Sequence, residues 1–247
     1  MKQVYFFDEG DGKNKKLLGG KGAGLCEMTK LKLPVPPGFT ITTEVCKEYY
    51  KNNKKLPKTL IPEVKKNIAK IENKTGKRWN SKENPLLVSV RSGAALSMPG
   101  MMDTILNLGL NDDTVEGLSK KSNKPRFAWD SYRRFVQLFG KVVFGVEDKK
   151  FDEILEHAKR NQDVQEDSAL NETSLKTVVS EYKKICEKHT GIKFPSDPSE
   201  QLELAIKAVF GSWMGERAVV YREKNNVTID IADGTAVNVV SMAFGDM

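Results

Sequence analysis

The sequence of 247 residues is poor in the side chains that most often carry catalysis. It has only two histidines, His157 and His189, and both lie in stretches with the apolar periodicity of amphipathic helices, where we expect a surface or core role. Its three cysteines are an odd number without a Cys-x-x-Cys spacing, which favours free thiols over a disulfide framework or a zinc site. No serine or cysteine stands in a recognisable nucleophile motif. The sequence therefore predicts no histidine, cysteine or metal centre within these residues.

Long apolar runs are also absent. No run of about eighteen apolar residues exists, so no membrane-spanning helix is predicted. The N-terminal segment MKQVYFFDEG acquires an acidic residue by position 8, unlike a secretory signal peptide. Apolar residues make up 39% and charged residues 30% of the chain, which is ordinary for a globular protein. We predict a cytoplasmic protein without a membrane partner, with either one large domain or two small ones.

The formal net charge of +7 comes with one strongly basic segment. Residues 51–77 contain nine lysines and two glutamates. Such a segment could bind nucleic acid, but it lacks interleaved aromatic residues and a recognisable reader motif. Leu60, Val64 and Ile68 recur at helical spacing, so we interpret the segment as a helix with a solvated basic face. A nucleic-acid-binding protein stays an alternative that strong salt dependence of DNA binding would favour.

Strand and helix signals divide the chain into three parts. Strand signals occur at 4–7, from Phe39, at 86–90, at 217–222 and at 235–244. Between about 111 and 199 only amphipathic helical patterns occur, and Asp197-Pro198 marks the start of a further helix. The order predicts an α+β fold in which 1–110 and 200–247 form one unit and 111–199 is an inserted helical subdomain.

Two features of the sequence suit an anion, although the familiar nucleotide motifs fail. Gly20-Lys21 is followed by Gly22 and not by Ser or Thr, which excludes a Walker A loop, and the dinucleotide fingerprint lacks its third glycine. Lys21 stands among glycines just before a predicted helix, where free N–H groups and the helix dipole favour a phosphate. Arg91 closes the strand at 86–90 and precedes a flexible loop. A simple glycine-rich turn and a structural ion pair are the alternatives for the two residues taken singly.

Four stretches together resemble a known family. They are LLGGKGAGLCEMTKLKLPVPPGFTITTEVCKEYY, LLVSVRSGAALSMPGMMDTILNLGLND, PRFAWDSYRRF and GTAVNV. In the same order along nearly the whole chain, they resemble the nucleotide-binding end of the pyruvate, phosphate dikinase family. The phosphoenolpyruvate synthases share the Gly-Gly-Lys turn and the Val-Arg-Ser element, but their following loop differs from SMPGMMDT, so a synthase fragment is the alternative. A stand-alone nucleotide-binding or regulatory module without catalysis is a further alternative.

The resemblance implies an ATP-grasp-type fold with ATP as its ligand. By this likeness Lys21 and Arg91 hold phosphate oxygens, and Arg91 has a catalytic role. The resemblance also assigns a covering loop that donates backbone N–H groups, formed by Gly100, Met101, Met102, Asp103 and Thr104. Val240 and Met242 are the nearest candidates for contact with adenine. The family usually has glutamine where this chain has Val240, so a backbone contact would survive here and a side-chain contact would not.

The resemblance also implies parts that these residues do not include. The strand at 235–244 runs into Gly245-Asp246, which looks like the opening of a hairpin turn, and the sequence stops at Met247. We therefore expect a fragment, with the second ATP-grasp half, its Mg²⁺ ligands, a phosphohistidine domain and a pyruvate-binding barrel beyond Met247. The implied full enzyme interconverts ATP, inorganic phosphate and pyruvate with AMP, diphosphate and phosphoenolpyruvate, and is expected to be a homo-oligomer. We expect the 247 residues alone to be inactive.

Overall fold

A computed structural model of the chain describes residues 2–228 and 232–245. Within these residues it contains five strands and nine α-helices. The strands are β1 (Val4–Phe6), β2 (Gly38–Ile41), β3 (Val88–Ala94), β4 (Thr104–Leu108) and β5 (Thr235–Ser241). The helices are α1 (Lys15–Lys30), α2 (Thr43–Lys51), α3 (Leu60–Thr75), α4 (Thr114–Ser122), α5 (Pro125–Phe144), α6 (Asp148–Gln162), α7 (Glu172–Thr190), α8 (Pro198–Ser212) and α9 (Glu216–Lys224). The fold is mixed α and β, as the sequence predicts.

The first of two compact units, here called the sheet unit, comprises Met1–Lys77, Val88–Thr104 and Glu203–Ala243. The strand order in this unit is β1-β2-β5-β3, and the pairs β1–β2, β2–β5 and β5–β3 are antiparallel. The last strand of the chain therefore lies between β2 and β3. Residues that are distant in the sequence become neighbours across β5.

The core of the sheet unit follows from the apolar pattern of its elements. Nearly every residue of β2, β3 and β5 is buried, as expected for strands covered on both faces. In α3, Leu60, Val64 and Ile68 are buried, as their helical spacing predicts, while the neighbouring lysines are exposed. The basic segment is thus the solvated face of a helix packed on the sheet unit.

The second unit, here called the helical unit, comprises Arg78–Leu87, Ile105–Leu202 and Phe244–Met247. Between 111 and 199, all of which the structure describes, there are helices, turns and loops and no strand, in agreement with the sequence pattern. The unit also includes 78–87 and 105–110. Its helix α5 packs mainly against α7 and buries the stripe formed by Ala128, Tyr132, Phe135, Val136 and Phe139.

One predicted strand is wrong, because residues 217–222 lie in the helix α9. The pair Val219-Val220 favoured a strand. Glu216 in the first turn and Arg222 in the last turn instead complement the helix dipole. The guanidinium carbon of Arg222 lies 3.9 Å from the centre of the Trp213 ring, and Arg222 also donates a hydrogen bond to the Trp213 carbonyl oxygen. These contacts stabilise a helix where the local preference is weak.

The observed strands differ from the predicted ones in other places as well. β3 does not close at Arg91 but runs on to Ala94, because it pairs with β5 along its whole length. β4 was not predicted, and it begins at Thr104, which the sequence assigned to a loop. β5 ends at Ser241 rather than at 244. The predicted turn after it includes Asp246, which lies outside the described residues.

Candidate functional site

A cavity of about 510 Å³ lies in the sheet unit, between the first part of α1 and the end of β3. Its wall is formed by two residues of α1, three of β3, the following loop and the first residue of β4. The lining residues are Gly20, Lys21, Ser92, Gly93, Ala94, Leu96, Ser97, Met98, Pro99, Gly100, Met102 and Thr104. Among the described residues, no aspartate or glutamate lines it.

A break at Gly19 brings α1 onto β3. The helix begins at Lys15, before the glycines, and is interrupted at Gly19, which has φ 69° and ψ 164°. A side chain at this position would overlap the carbonyl oxygen of Gly93, so only glycine permits the close approach. A second helical segment begins after the break and contains Lys21 in its first turn. The glycines thus lie inside α1 and not before it, and the predicted helix start near Lys21 is the segment after the break.

Lys21 and Arg91 supply two positive charges that have no acidic partner in the part of the chain that the structure describes. Arg91 is half-buried in β3 just before the lining residue Ser92, and its Nε atom is buried with no hydrogen-bond partner among residues 2–228 and 232–245. Lys21 is exposed at the wall, yet partial burial of its ammonium group, and then the charge of Arg91, lower its pKa from the usual 10.5. Within the described residues neither side chain forms an ion pair. Two neighbouring cations without a counter-charge favour an anionic ligand.

The loop at 95–103 forms another part of the wall. Of the predicted covering residues, the cavity is lined by Gly100, Met102 and Thr104, and not by Met101 and Asp103. Gly100 has φ 72°, a conformation that favours glycine. Its carbonyl oxygen accepts a weak hydrogen bond of 3.5 Å from Arg217 of α9, whose guanidinium also lies 3.6 Å from the Asp103 carboxylate. Both of these contacts to Arg217 are long.

The two residues predicted near adenine do not line this cavity. Val240 lies in β5, where it pairs with Gly38 on one side and Ser89 on the other. Met242 follows the strand, and its carbonyl oxygen accepts a hydrogen bond of 3.4 Å from Lys77. The half-buried Val240 side chain packs against a core cluster of Phe7, Leu18, Ala23 and Cys26. The adenine assignment stays a prediction.

A cavity of about 420 Å³ in the helical unit contains more basic side chains, but these have acidic partners. Arg133, whose side chain is 5% exposed, lies 2.6 Å from the Asp130 carboxylate, and Arg134 lies 3.1 Å from the same group. Lys141 forms an ion pair with Asp148. An anion that entered this cavity would compete with existing ion pairs, so we do not assign it as the anion site.

Other reactive groups give no alternative centre in the described part of the chain. The three cysteines are free and buried, and burial raises the pKa of Cys46 to about 12 and that of Cys26 to about 11. They are therefore protonated thiols at neutral pH. No cluster of three or more potential metal ligands occurs within residues 2–228 and 232–245. None of the helices in these ranges combines the length and apolarity that crossing a membrane requires.

Sequence reasoning did not identify the wall residues of β3, because it ended the strand at Arg91. Ser92, Gly93 and Ala94 follow it in the strand and line the cavity. The run of small residues in a strand is a usable signal, since glycine in a strand often marks a place where another backbone comes close. Here that backbone is α1 at Gly19.

Comparisons with known proteins match the family that the sequence resembles. The family described as pyruvate phosphate dikinase, AMP/ATP-binding domain, matches residues 15–60 and 53–247. A pyruvate, phosphate dikinase of Entamoeba histolytica is 58% identical over 247 residues, which is 100% of this chain and 28% of that protein. The enzyme of the same name from Clostridium symbiosum is 48% identical over 99% of this chain. A chloroplastic pyruvate, phosphate dikinase of Mesembryanthemum crystallinum is 50% identical over 100% of this chain.

These relatives are much longer than the present sequence. The chain spans 28% of the Entamoeba and Clostridium proteins and 26% of the Mesembryanthemum protein. The family match nevertheless covers almost all of the 247 residues, including both sides of the cavity that holds Lys21. The chain belongs to the pyruvate, phosphate dikinase family and corresponds to its AMP/ATP-binding domain.

Proposed function

We propose that the chain binds ATP in the sheet-unit cavity and forms the nucleotide-binding part of a pyruvate, phosphate dikinase. The complete enzyme interconverts ATP, phosphate and pyruvate with AMP, diphosphate and phosphoenolpyruvate through a phosphorylated histidine. One observation is the main support for the proposal. Within the described residues, the charges of Lys21 and Arg91 lack acidic partners beside a glycine-lined wall, in a chain that matches an AMP/ATP-binding domain.

In this proposal Lys21 and Arg91 bind the phosphate chain in different ways. Lys21 acts as a mobile point charge, and Arg91 offers a planar group that can bind two oxygens. Each charge-assisted hydrogen bond to phosphate contributes about 1.5–3 kcal/mol. Arg91 also has the catalytic role, because a fixed positive charge stabilises the charge that develops on a transferred phosphoryl group.

The loop and the fold complete the proposed site. We assign the backbone N–H groups of residues 100–104 to the phosphates, and the backbone near Val240 and Met242 to adenine. The first helical turn after Gly19 adds free N–H groups at the start of a helix, which favour an anion. The sheet with helices packed on it supports an ATP-grasp-type architecture for this part of the enzyme.

Magnesium does not fit a site within the described residues, because they contain no cluster of three acidic or histidine ligands. We therefore derive no step of the reaction through the metal. In the proposal its ligands, the phosphorylated histidine and the contacts to pyruvate belong to parts of the protein outside these 247 residues. Inorganic phosphate is the second substrate, and the complete enzyme is a cytoplasmic homo-oligomer. The three free thiols support the cytoplasmic assignment.

Calorimetry of ATP binding to the 247-residue chain tests the proposal. We expect a dissociation constant in about the high-micromolar to millimolar range, because in this proposal the chain supplies one wall of the site. Lys21→Ala should weaken binding by about 1–3 kcal/mol, since it removes a charge-assisted contact. Lys30→Ala is the matched control, because Lys30 is an exposed lysine of the same helix that does not line the cavity. Equal affinity in the wild type and in Lys21→Ala would remove Lys21 from the site.

A second assay tests whether the 247 residues are one part of the dikinase or a complete catalyst. The chain is incubated with ATP, phosphate, pyruvate and magnesium, and phosphoenolpyruvate is measured. We expect no turnover, because the described residues supply neither the metal ligands nor an assigned phosphohistidine. Steady formation of phosphoenolpyruvate by the 247 residues would contradict the assignment of these groups to other parts of the enzyme.

A further inference from the structure

A row of polar side chains, two of them fully buried, crosses three adjacent strands of the sheet unit. The strand register pairs Thr40 of β2 with Asn238 of β5, and Asn238 with Arg91 of β3. Directly opposed residues share one face of a sheet, so the three side chains lie side by side. The Thr40 hydroxyl lies 2.8 Å from Asn238 Oδ1, to which it donates a hydrogen bond, and both residues are fully buried. This bond fixes which end of the Asn238 amide points toward β2.

The other end of the amide has no partner. Asn238 Nδ2 is buried without a hydrogen-bond acceptor among the described residues. A Cβ atom placed on Gly93 would lie 2.6 Å from Nδ2 and 3.5 Å from Cβ of Lys21. The free N–H groups of Asn238 therefore lie against Gly93, which is part of the cavity wall, close to the base of the Lys21 side chain. A buried donor without an acceptor is costly and uncommon in a native fold, which suggests a role.

Helix α1 rests on the same hydrogen-bonded pair. A Cβ atom on Gly22 would lie 2.7 Å from Thr40 Oγ1 and 2.9 Å from Asn238 Oδ1. The helix backbone thus contacts the pair one residue after Lys21. Since the Asn238 amide contacts Gly22 of α1 with its oxygen and Gly93 of β3 with its nitrogen, it spans the gap between the two segments that carry Lys21 and Arg91.

We propose that Asn238, oriented by Thr40, is a positioning residue for the binding of an oligophosphate chain. It sets the spacing between α1 and β3 that lets Lys21 and Arg91 act on one ligand, and it keeps the positive end of its amide toward the cavity wall. It does not line the cavity, so it acts through these two cations. The inference rests on the proposed function, because it takes the ligand to be the phosphate chain of ATP.

Thr40→Val tests the orientation of the amide. Valine keeps the shape of threonine but cannot donate the hydrogen bond, so the Asn238 amide becomes free to turn its oxygen toward Gly93. We expect the ATP affinity of the 247-residue chain to fall about three- to tenfold, the effect of losing one net hydrogen bond. Thr40→Ser, which keeps the hydroxyl, should restore most of the affinity.

Thr114→Val is the matched control for Thr40→Val. Thr114 is also fully buried, and its hydroxyl lies 2.8 Å from the Gly109 carbonyl oxygen, to which it donates a hydrogen bond. It belongs to the helical unit and does not line the cavity. Thermal unfolding of both variants shows how much stability each loses. A purely structural role for Thr40 predicts the same change in ATP affinity for the two variants.

Asn238→Asp tests the donor itself, with ATP and inorganic tripolyphosphate as probes. Aspartate has nearly the same shape, but it replaces the N–H groups with a carboxylate oxygen. This oxygen would lie close to Lys21 and Arg91, the two cations that should bind the ligand. We expect the affinity for each probe to fall at least about tenfold, because a negative charge next to the site opposes an anion. If the variant does not fold, as judged by circular dichroism, the affinity of Thr40→Val for both probes is the test instead.

The outcomes separate this inference from the proposed function. A loss of ATP and tripolyphosphate affinity in Thr40→Val, with none in Thr114→Val, supports the inference. Unchanged affinity in Thr40→Val, or an equal loss in both variants, overturns it while leaving the effect of Lys21→Ala to support the proposed function. A loss for ATP alone, without one for tripolyphosphate, also overturns it. A wild-type chain that does not bind ATP overturns the proposed function, and the inference with it.

Discussion

The two units each contain a cavity with basic side chains nearby. Among the described residues, these side chains have acidic partners in the helical unit and none in the sheet unit. In the sheet unit, Lys21 and Arg91 lie close together and have no acidic partner among the described residues. In the helical unit, Arg133 and Arg134 share the Asp130 carboxylate. The cavity of the helical unit is lined by more cations, yet we propose the cavity of the sheet unit as the anion site. The number of basic residues in a cavity is thus a poor indicator of an anion site. The absence of acidic partners for those residues is a better one.

The direction of its pKa shift distinguishes Lys21 from a lysine with acidic partners. Partial burial and the neighbouring Arg91 lower the pKa of Lys21. In the helical unit the hydrogen bond to Glu172 raises the pKa of Lys176. A partner that stabilises the charged form indicates a structural or surface ion pair, whereas its absence leaves that stabilisation to a ligand.

The largest expected effect is on the stability of the helical unit. Arg133→Ala should lower the free energy of unfolding by about 3 kcal/mol, because it removes one partner of a buried ion pair. Arg134→Ala should cost at most about 1 kcal/mol, since Arg134 binds the same carboxylate with a side chain that is 60% exposed. Urea denaturation measures both, and ATP affinity should stay unchanged in both. Equal losses of stability would mean that burial does not distinguish the two arginines.

A carboxylate placed in the sheet-unit cavity should make it resemble the other cavity. Leu96 lines the cavity and is 40% exposed, so a polar side chain is tolerated there. Leu96→Glu should weaken ATP binding by about 1–2 kcal/mol, because it supplies a counter-charge for the cations and repels phosphate. Leu96→Gln has nearly the same shape without the charge, and calorimetry should find its affinity close to that of the wild type. Similar losses in the two variants would contradict the electrostatic interpretation.

ATP affinity should fall at alkaline pH. Protonated Lys21 is the binding form, and its pKa in the free chain lies below 10.5. A bound phosphate supplies a counter-charge and raises that pKa, so affinity is constant below the free-state pKa and falls above it, by up to about tenfold per pH unit. Lys21→Arg stays charged throughout and should abolish most of this slope in titrations between neutral and alkaline pH. A slope that persists in Lys21→Arg would assign the titration to another group.

The smallest effect concerns the loop at 95–103. Among the described contacts, its backbone hydrogen bonds include Met101 N–H to the Met98 carbonyl, at 3.2 Å, and a long bond of 3.5 Å from Ser92 N–H to the Asp103 carbonyl. Amide hydrogens of 95–102 should therefore exchange faster than those of the strand at 88–91, and ATP should slow them. Exchange in the unliganded chain as slow in the loop as in the strand would contradict this.

Periodic segments of the fold were predictable from the sequence. The stripe of Tyr132, Phe135 and Phe139 predicts the buried face of α5, and Asp197-Pro198 predicts the start of α8, where Asp197 accepts a hydrogen bond from the Ser199 N–H. These signals are local, so neighbouring residues suffice to identify them. The segment 217–222 shows the limit, because its helix is accompanied by the stacking of Arg222 on Trp213, a contact that the strand-like pattern of the segment does not contain.

The candidate site was predictable in its residues and not in its arrangement. Lys21 and Arg91 were identified from their flanking residues, and the prediction that both bind ATP is still to be tested. The break at Gly19 depends on the carbonyl of Gly93, and the contact of Asn238 with Thr40 depends on strand register across β5. Sequence spacing does not give such distances. It also does not show whether a cation has an acidic partner, which is the property that distinguishes the two cavities.

The close contact between Gly19 and Gly93 has a consequence for protein engineering. In a saturation library, position 19 should accept glycine alone, because the obstacle is a backbone carbonyl oxygen that no second substitution can remove. Five residues later in the same helix, a Cβ atom on Gly24 would meet nothing within 4 Å. Gly24→Ala should therefore raise the free energy of unfolding by about 0.5–1 kcal/mol through helix propensity. Two glycines of one short motif therefore differ sharply in the side chains that they tolerate.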